Sequence, residues 1–152
     1  MKQIKLIAYT LLFAFVSVGI SSCKKSEEAK PSIIGGWFQQ SVDGTAVRSV
    51  SFRQGGEFQA TFGTYNNTTP GLSTYTIYSG TYTVKGDSLL TNISTVSVQE
   101  NGGTPVVSPT TQKLYEHATF SVTTETLTIN YDTYPADAPV RTQAVFGHAM
   151  LD

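Results

Sequence analysis

The chain has 152 residues, 10 Lys and Arg against 11 Asp and Glu, a formal net charge of −1, two histidines and one cysteine. After residue 30 the basic residues Arg48, Arg53, Lys85, Lys113 and Arg141 stand far apart, which excludes a basic stripe for nucleic acid. The lone Cys23 excludes an internal disulfide and any CxxC metal or redox motif, and the length suits one domain.

At the start, Lys2 and Lys5 precede an uncharged run from Leu6 to Ile20, and the small pair Ser21-Ser22 leads into Cys23. A basic, then apolar, then small-residue order predicts a cleaved signal peptide over residues 1–22. About fifteen helical residues rise ~22 Å, short of the ~30 Å hydrocarbon core, so a permanent membrane span is disfavoured. The next segment, Lys24 to Pro31, carries five charges and no apolar run, and residues 23–32 are predicted to form a flexible tether.

Ile20-Ser21-Ser22-Cys23 resembles the lipobox of bacterial lipoproteins, with isoleucine where leucine is commoner. The resemblance implies that Cys23 is lipidated with palmitate-type acyl chains. At about 0.8 kcal/mol per buried methylene, two or three such chains anchor a protein firmly to a membrane. The Lys-plus-acidic run after the cysteine resembles the export signal of Bacteroidetes surface lipoproteins, although a solvated spacer has the same composition. The implied location is the cell envelope, as an outer-membrane lipoprotein, with the leaflet left open.

Beyond the tether, Thr, Ser, Gly, Tyr and Val dominate, and no apolar pattern of helical period lasts beyond about one turn. Residues 33–152 are therefore read as an all-β domain of eight strands, at 36–42, 46–53, 57–63, 74–84, 88–98, 112–122, 126–131 and 141–149. In the second strand Arg48, Val50 and Phe52 share one face, and in the third Phe58, Ala60 and Phe62 do. Gly80 marks a bulge or bend in the fourth strand. In the fifth, Leu89 and Ile93 differ in parity from Val96 and Val98, which predicts a bulge near Ser94 or Thr95.

A weak repeat at an offset of 38 residues aligns Thr81–Leu89 with Thr119–Leu127, each read as a tight hairpin. The short connections Gln54-Gly55-Gly56, Lys85-Gly86-Asp87 and Thr123-Thr124-Glu125 alternate with three long ones, Thr64–Ser73, Gln99–Thr111 and Asp132–Val140. In an up-and-down meander that alternation gathers the long loops at one end, as in an antiparallel eight-stranded barrel shaped like a cup. A β-sandwich also accommodates the strands but does not require the alternation.

Ile33-Ile34-Gly35-Gly36-Trp37 resembles the Gly-x-Trp signature at the start of the lipocalin barrel. Gly80 to Val84 with Asp87-Ser88-Leu89, and Leu127-Thr128-Ile129, resemble bacterial lipocalin-like lipoproteins of Bacteroidetes type. The resemblance spans most of residues 33–149. It implies an up-and-down calycin barrel whose closed end is plugged by Trp37, Gly35 and Trp37 being the barrel-closing signature.

In that family an arginine near the end of the last strand covers the tryptophan. Here Arg141 begins the last strand, at the mouth, whereas His148 stands where it can pack on Trp37. The family's second signature is reduced to Thr123-Thr124-Glu125. Asp87-Ser88-Leu89 also resembles an O-glycosylation site of Bacteroidetes exported proteins, although the hairpin alone needs the same residues.

Chemistry is sparse. With two histidines, no nucleophile elbow and singly scattered acids, the chain offers no catalytic residues, metal site or cofactor, and no enzyme is expected. Glu116 and His117 are adjacent in a strand and point to opposite faces. The predicted inner face is Val50, Phe52, Phe58, Phe62, Tyr82, Leu127 and Ile129, while Tyr65, Tyr75, Tyr115, Tyr134 and Arg141 fall on the rim.

Phe58, Phe62, Tyr65, Tyr75, Tyr82 and Arg141 are the ligand-binding candidates. Two functions fit: a monomeric, membrane-anchored carrier of a small apolar or amphipathic ligand, or a structural or adhesive surface lipoprotein whose filled barrel or sandwich presents loops to protein or glycan. Cavity volume separates them. Because the first strand starts at the tight-turn end, the mouth is expected to face away from the membrane.

Overall fold

Alternation of apolar and polar residues gives strands wherever it persists, and among the described residues of the computed structural model it produces nine: β1 (Gly35–Gln40), β2 (Ala46–Phe52), β3 (Glu57–Tyr65), β4 (Leu72–Lys85), β5 (Ser88–Glu100), β6 (Val106–Pro109), β7 (Glu116–Val122), β8 (Thr126–Thr133) and β9 (Val140–His148). The structure describes residues 32–41, 44–65, 72–134 and 138–148. The signal peptide, Cys23 and the tether up to residue 31 lie outside the described residues, as do positions 66–71 and 135–137 of the long connections. Every core residue of the unit Pro31–Asp152 and every partner in its ladder falls between Ile33 and His148, so this unit carries its own core and its own closed ladder.

All pairings are antiparallel, and β1-β2-β3-β4-β5-β7-β8-β9 form a ring. The ring closes where Trp37 faces His148 and Phe38 faces Gly147. The fold is thus the expected closed eight-stranded barrel, with β6 as an added strand on β5. Consecutive antiparallel strands place the three tight turns at one end and the three long connections at the other.

At the tight-turn end the ladder continues through the turns: Tyr82 N–H donates to Gly56 O, Phe120 N–H to Asp87 O and His148 N–H to Glu125 O, each at 2.8 Å. The two copies of the repeat are one hairpin used twice, with Val84 opposite Leu89 and Val122 opposite Leu127.

The predicted bulge is present. Ser79 faces Thr95 and Gly80 faces Ile93, leaving Ser94 without a partner in the ladder. Gly80 is required there, because a Cβ at this position would lie 2.0 Å from the Asn92 carbonyl oxygen. Past the bulge, Val96 and Val98 return to the face of Leu89 and Ile93.

The predicted sixth strand and the loop before it need correction. Most of the Gln99–Thr111 connection is a hairpin in which Val106, Val107, Ser108 and Pro109 run back along β5 from Val98 to Thr95. The chain then leaves the ladder and re-enters at Glu116, four residues after the predicted start at 112. The cause is local: Tyr115 and His117 adopt φ of 56° and 49°, a left-handed conformation that no regular strand holds. Alternation cannot register such an interruption.

The inward side chains of the tight-turn half form one cluster, with Trp37, Phe52, Phe146, Leu127, Ile129 and Val50 at 2% exposure or less. Trp37 donates its indole N–H to Ile33 O at 2.9 Å, satisfying its polar atom in the core. Ala60, Ala118 and Ala144 are buried in the same cluster. Their small side chains leave room for Tyr115, which stacks edge-on to Phe58 and Tyr131 at 6.3 Å and 4.9 Å.

Candidate functional site

Strand pairing builds a single row across the open end. Gln39 faces Arg48, Arg48 faces Phe62, Phe62 faces Thr76, Thr76 faces Val98, and Val98 faces Val106. Residues directly opposite in a ladder share a face. Arg48 has the parity of buried Val50 and Phe52, so this face is the inner one. The row therefore runs from polar, at β1 and β2, to apolar, at β3, β5 and β6.

At the polar end, the Arg48 guanidinium carbon lies 5.7 Å from the centre of the Phe62 ring, within cation–π range. The ion pairs formed among the described residues are Arg53–Glu57, Lys113–Glu116 and Arg141–Asp132, so Arg48 has no carboxylate there. Beside it, Gln39 Oε1 is buried with no hydrogen-bond partner among the described residues. A cavity of 250 Å³ opens here, lined by Gln39, Ser41, Ala46 and Arg48.

Tyr115 is buried in the core, edge-on to Phe58 and Tyr131. Burial, reinforced by neighbouring Tyr131 and opposed by Arg48, holds its phenol well above the usual tyrosine range, so the ring stays neutral. The apolar side of the row forms a wall. Phe62 packs edge-on against Tyr78 at 5.8 Å, and Val106 is 67% exposed at the far end of the row. Opposite the wall, the hydroxyls of Thr133 and Thr142 meet at 2.8 Å.

The structure separates the sequence-derived candidates. Phe58 and Tyr82 belong to the packed tight-turn half, where both rings contact Phe52 at 5.2 and 5.0 Å, and Tyr82 Oη donates to Arg53 O. Burial also raises the Tyr82 phenol pKa. Phe62 alone of the six stands in the row at the mouth. Tyr65 is exposed, and Tyr75 has the parity of Ile77, opposite to that of inward Thr76 and Tyr78.

Arg141 has the parity opposite to buried Ala144 and Phe146 and is turned outward. It donates to Asp132 Oδ1 at 3.1 Å, Thr119 Oγ1 at 3.1 Å and His117 O at 3.0 Å, tying the irregular start of β7 to β8 and β9. At the closed end, Gly35 takes φ of 143° and Trp37 is buried beneath His148.

Sequence reasoning missed Gln39 and Arg48 as site residues. The signal was present: Arg48 shares the parity of Val50 and Phe52, and Gln39 that of Trp37. A larger cavity, 760 Å³, lies at the seam where β5 and β7 share only two ladder pairs, and exposed Leu90 and Lys113 are part of its lining.

These features define a closed, eight-stranded antiparallel β-barrel with a packed tight-turn end and a mouth that is cationic on one side and apolar on the other. Protein-family models, curated proteins and solved structures gave no match to the chain.

Proposed function

We propose that the chain is a lipocalin-like lipoprotein, anchored through Cys23 to the outer membrane of a bacterial envelope, whose barrel takes a small amphipathic ligand at its open end. The observation that carries this reading is the row from Gln39 and Arg48 to Val98 and Val106, a polar-to-apolar surface at the mouth of a closed barrel that continues onto the added strand β6. The filled tight-turn half restricts the ligand to the mouth, in place of the deep interior site that the sequence suggested. Because β1 enters at the tight-turn end, a lipid on Cys23 attaches at the end opposite the mouth and leaves the mouth unobstructed.

Two experiments test the reading. Palmitate labelling in a bacterial host is expected for the wild-type chain and lost in Cys23→Ser. Displacement of a fluorescent amphiphile from the 31–152 unit is expected at micromolar ligand, and a flat titration contradicts it.

A second reading, a structural or adhesive surface lipoprotein, is favoured by the packed core and by the exposed Val106 and Val107 of β6. It expects no small-molecule binding at all.

A further inference from the structure

We infer that the mouth selects single-chain amphiphiles with an anionic head, the head held by Arg48 and Gln39 and the tail lying across the rim over Phe62, Val98 and Val106. This inference rests on the reading of the open end as the ligand site, and it fixes the class and orientation of the ligand.

The charge comes first. Of the five basic side chains in the barrel unit, Arg53, Lys113 and Arg141 face carboxylates at 3.6, 3.1 and 3.1 Å. Lys85 stands at an exposed tight turn. Arg48 is the one with inward parity, exposed at the rim, and among the described residues its charge meets a ring face and no carboxylate. A guanidinium fork matches carboxylate or phosphate oxygens bidentately, so an anionic group is its natural complement.

Gln39 adds a second anchor. Its amide is cross-strand from Arg48 and holds a buried oxygen with no partner among the described residues, an arrangement that costs stability unless something pairs with it. Rotating the amide by half a turn presents Nε2 in the same place, a donor for a second anionic oxygen. The 250 Å³ cavity beside the two residues suits a head group and excludes a whole ligand.

The tail follows from the row. Below the mouth, Val50, Ala60, Ile129 and Tyr115 are buried in one packed cluster, which leaves an alkyl chain no route down the axis. Sideways, Phe62, Val98 and Val106 continue the same row over β3, β5 and β6. From β2 to β6 the sheet advances four strands, about 19 Å at the usual strand spacing. That span accommodates one alkyl chain of medium length.

The test is calorimetric titration of the 31–152 unit with dodecanoate, dodecyl phosphate and neutral dodecyl maltoside, each below its micellar concentration. The account expects both anions to bind at least about tenfold more tightly than the neutral probe, the effect of one charge-assisted hydrogen bond. Arg48→Met, checked for fold by circular dichroism, should abolish that preference, Arg48→Lys should keep part of it, and Lys85→Met should leave it intact.

Equal binding of charged and neutral probes overturns the inference and leaves the amphiphile-binding reading standing. An anionic preference that survives Arg48→Met also overturns it. Absence of binding by all three probes defeats both. With both anions preferred over the neutral probe, the tighter of the two identifies the head group.

Discussion

The imidazole of His148 stands edge-on to the indole of Trp37, ring centroids 4.8 Å apart and planes at 86°, and the two residues face each other across the strands that close the ring. Where the lipocalin resemblance expects an arginine over this tryptophan, the last strand supplies a histidine. Trp37→Ala removes a side chain that is 2% exposed, and should cost about 3–5 kcal/mol in urea unfolding. His148→Ala removes one edge contact and should cost about 1 kcal/mol with the fold retained.

Gly80→Ala places a methyl group 2.0 Å from the Asn92 carbonyl oxygen, a clash with backbone that no side-chain rotation relieves. The bulge at Ser94 must shift or the β4–β5 ladder must open. A loss of about 2 kcal/mol or more is expected in urea unfolding, and a loss under about 0.5 kcal/mol would mean that the bulge yields freely.

Arg141→Ala separates a clamp from a ligand contact. Its exposed ion pair with Asp132 contributes at most about 1 kcal/mol, so global stability should change little. Release of the His117 carbonyl should instead speed amide exchange at Glu116 to Thr119, read by hydrogen–deuterium exchange. Amphiphile affinity should be unchanged, because the side chain lies outside the barrel.

Tyr115 gives the barrel an alkaline limit. Its phenol titrates above the ordinary value of 10.0 when folded and near 10.0 when unfolded. Below both values the two states bind equal numbers of protons. As pH rises through 10 the unfolded chain releases the proton that the folded chain keeps, so the free energy of unfolding falls. Thermal unfolding by circular dichroism between pH 9 and about 11.5 should show a steeper loss for wild type than for Tyr115→Phe, and parallel curves would contradict this.

The barrel was legible because its signals are periodic. Alternation in β2 and β3 set their facing, the parity break between Ile93 and Val96 located the bulge, and the spacing of turns set the topology. The interruption before β7 was not legible, since it depends on left-handed φ at Tyr115 and His117, residue types that carry no turn signal. The site was half legible: Phe62 and the inward parity of Arg48 could be read along one strand. The row itself joins six strands, and no single segment contains it. Arg141 begins β9 at the open end and turns outward, since position along a strand locates a residue at the rim while parity decides whether it faces in or out.

The most direct test of the central claim is amide chemical-shift mapping of the 31–152 unit during titration with dodecanoate. The account predicts that the largest changes fall at Gln39, Arg48, Phe62, Val98 and Val106. Changes centred on Trp37, Phe52 and Leu127, or on the outer seam from Leu90 to His117, would contradict it.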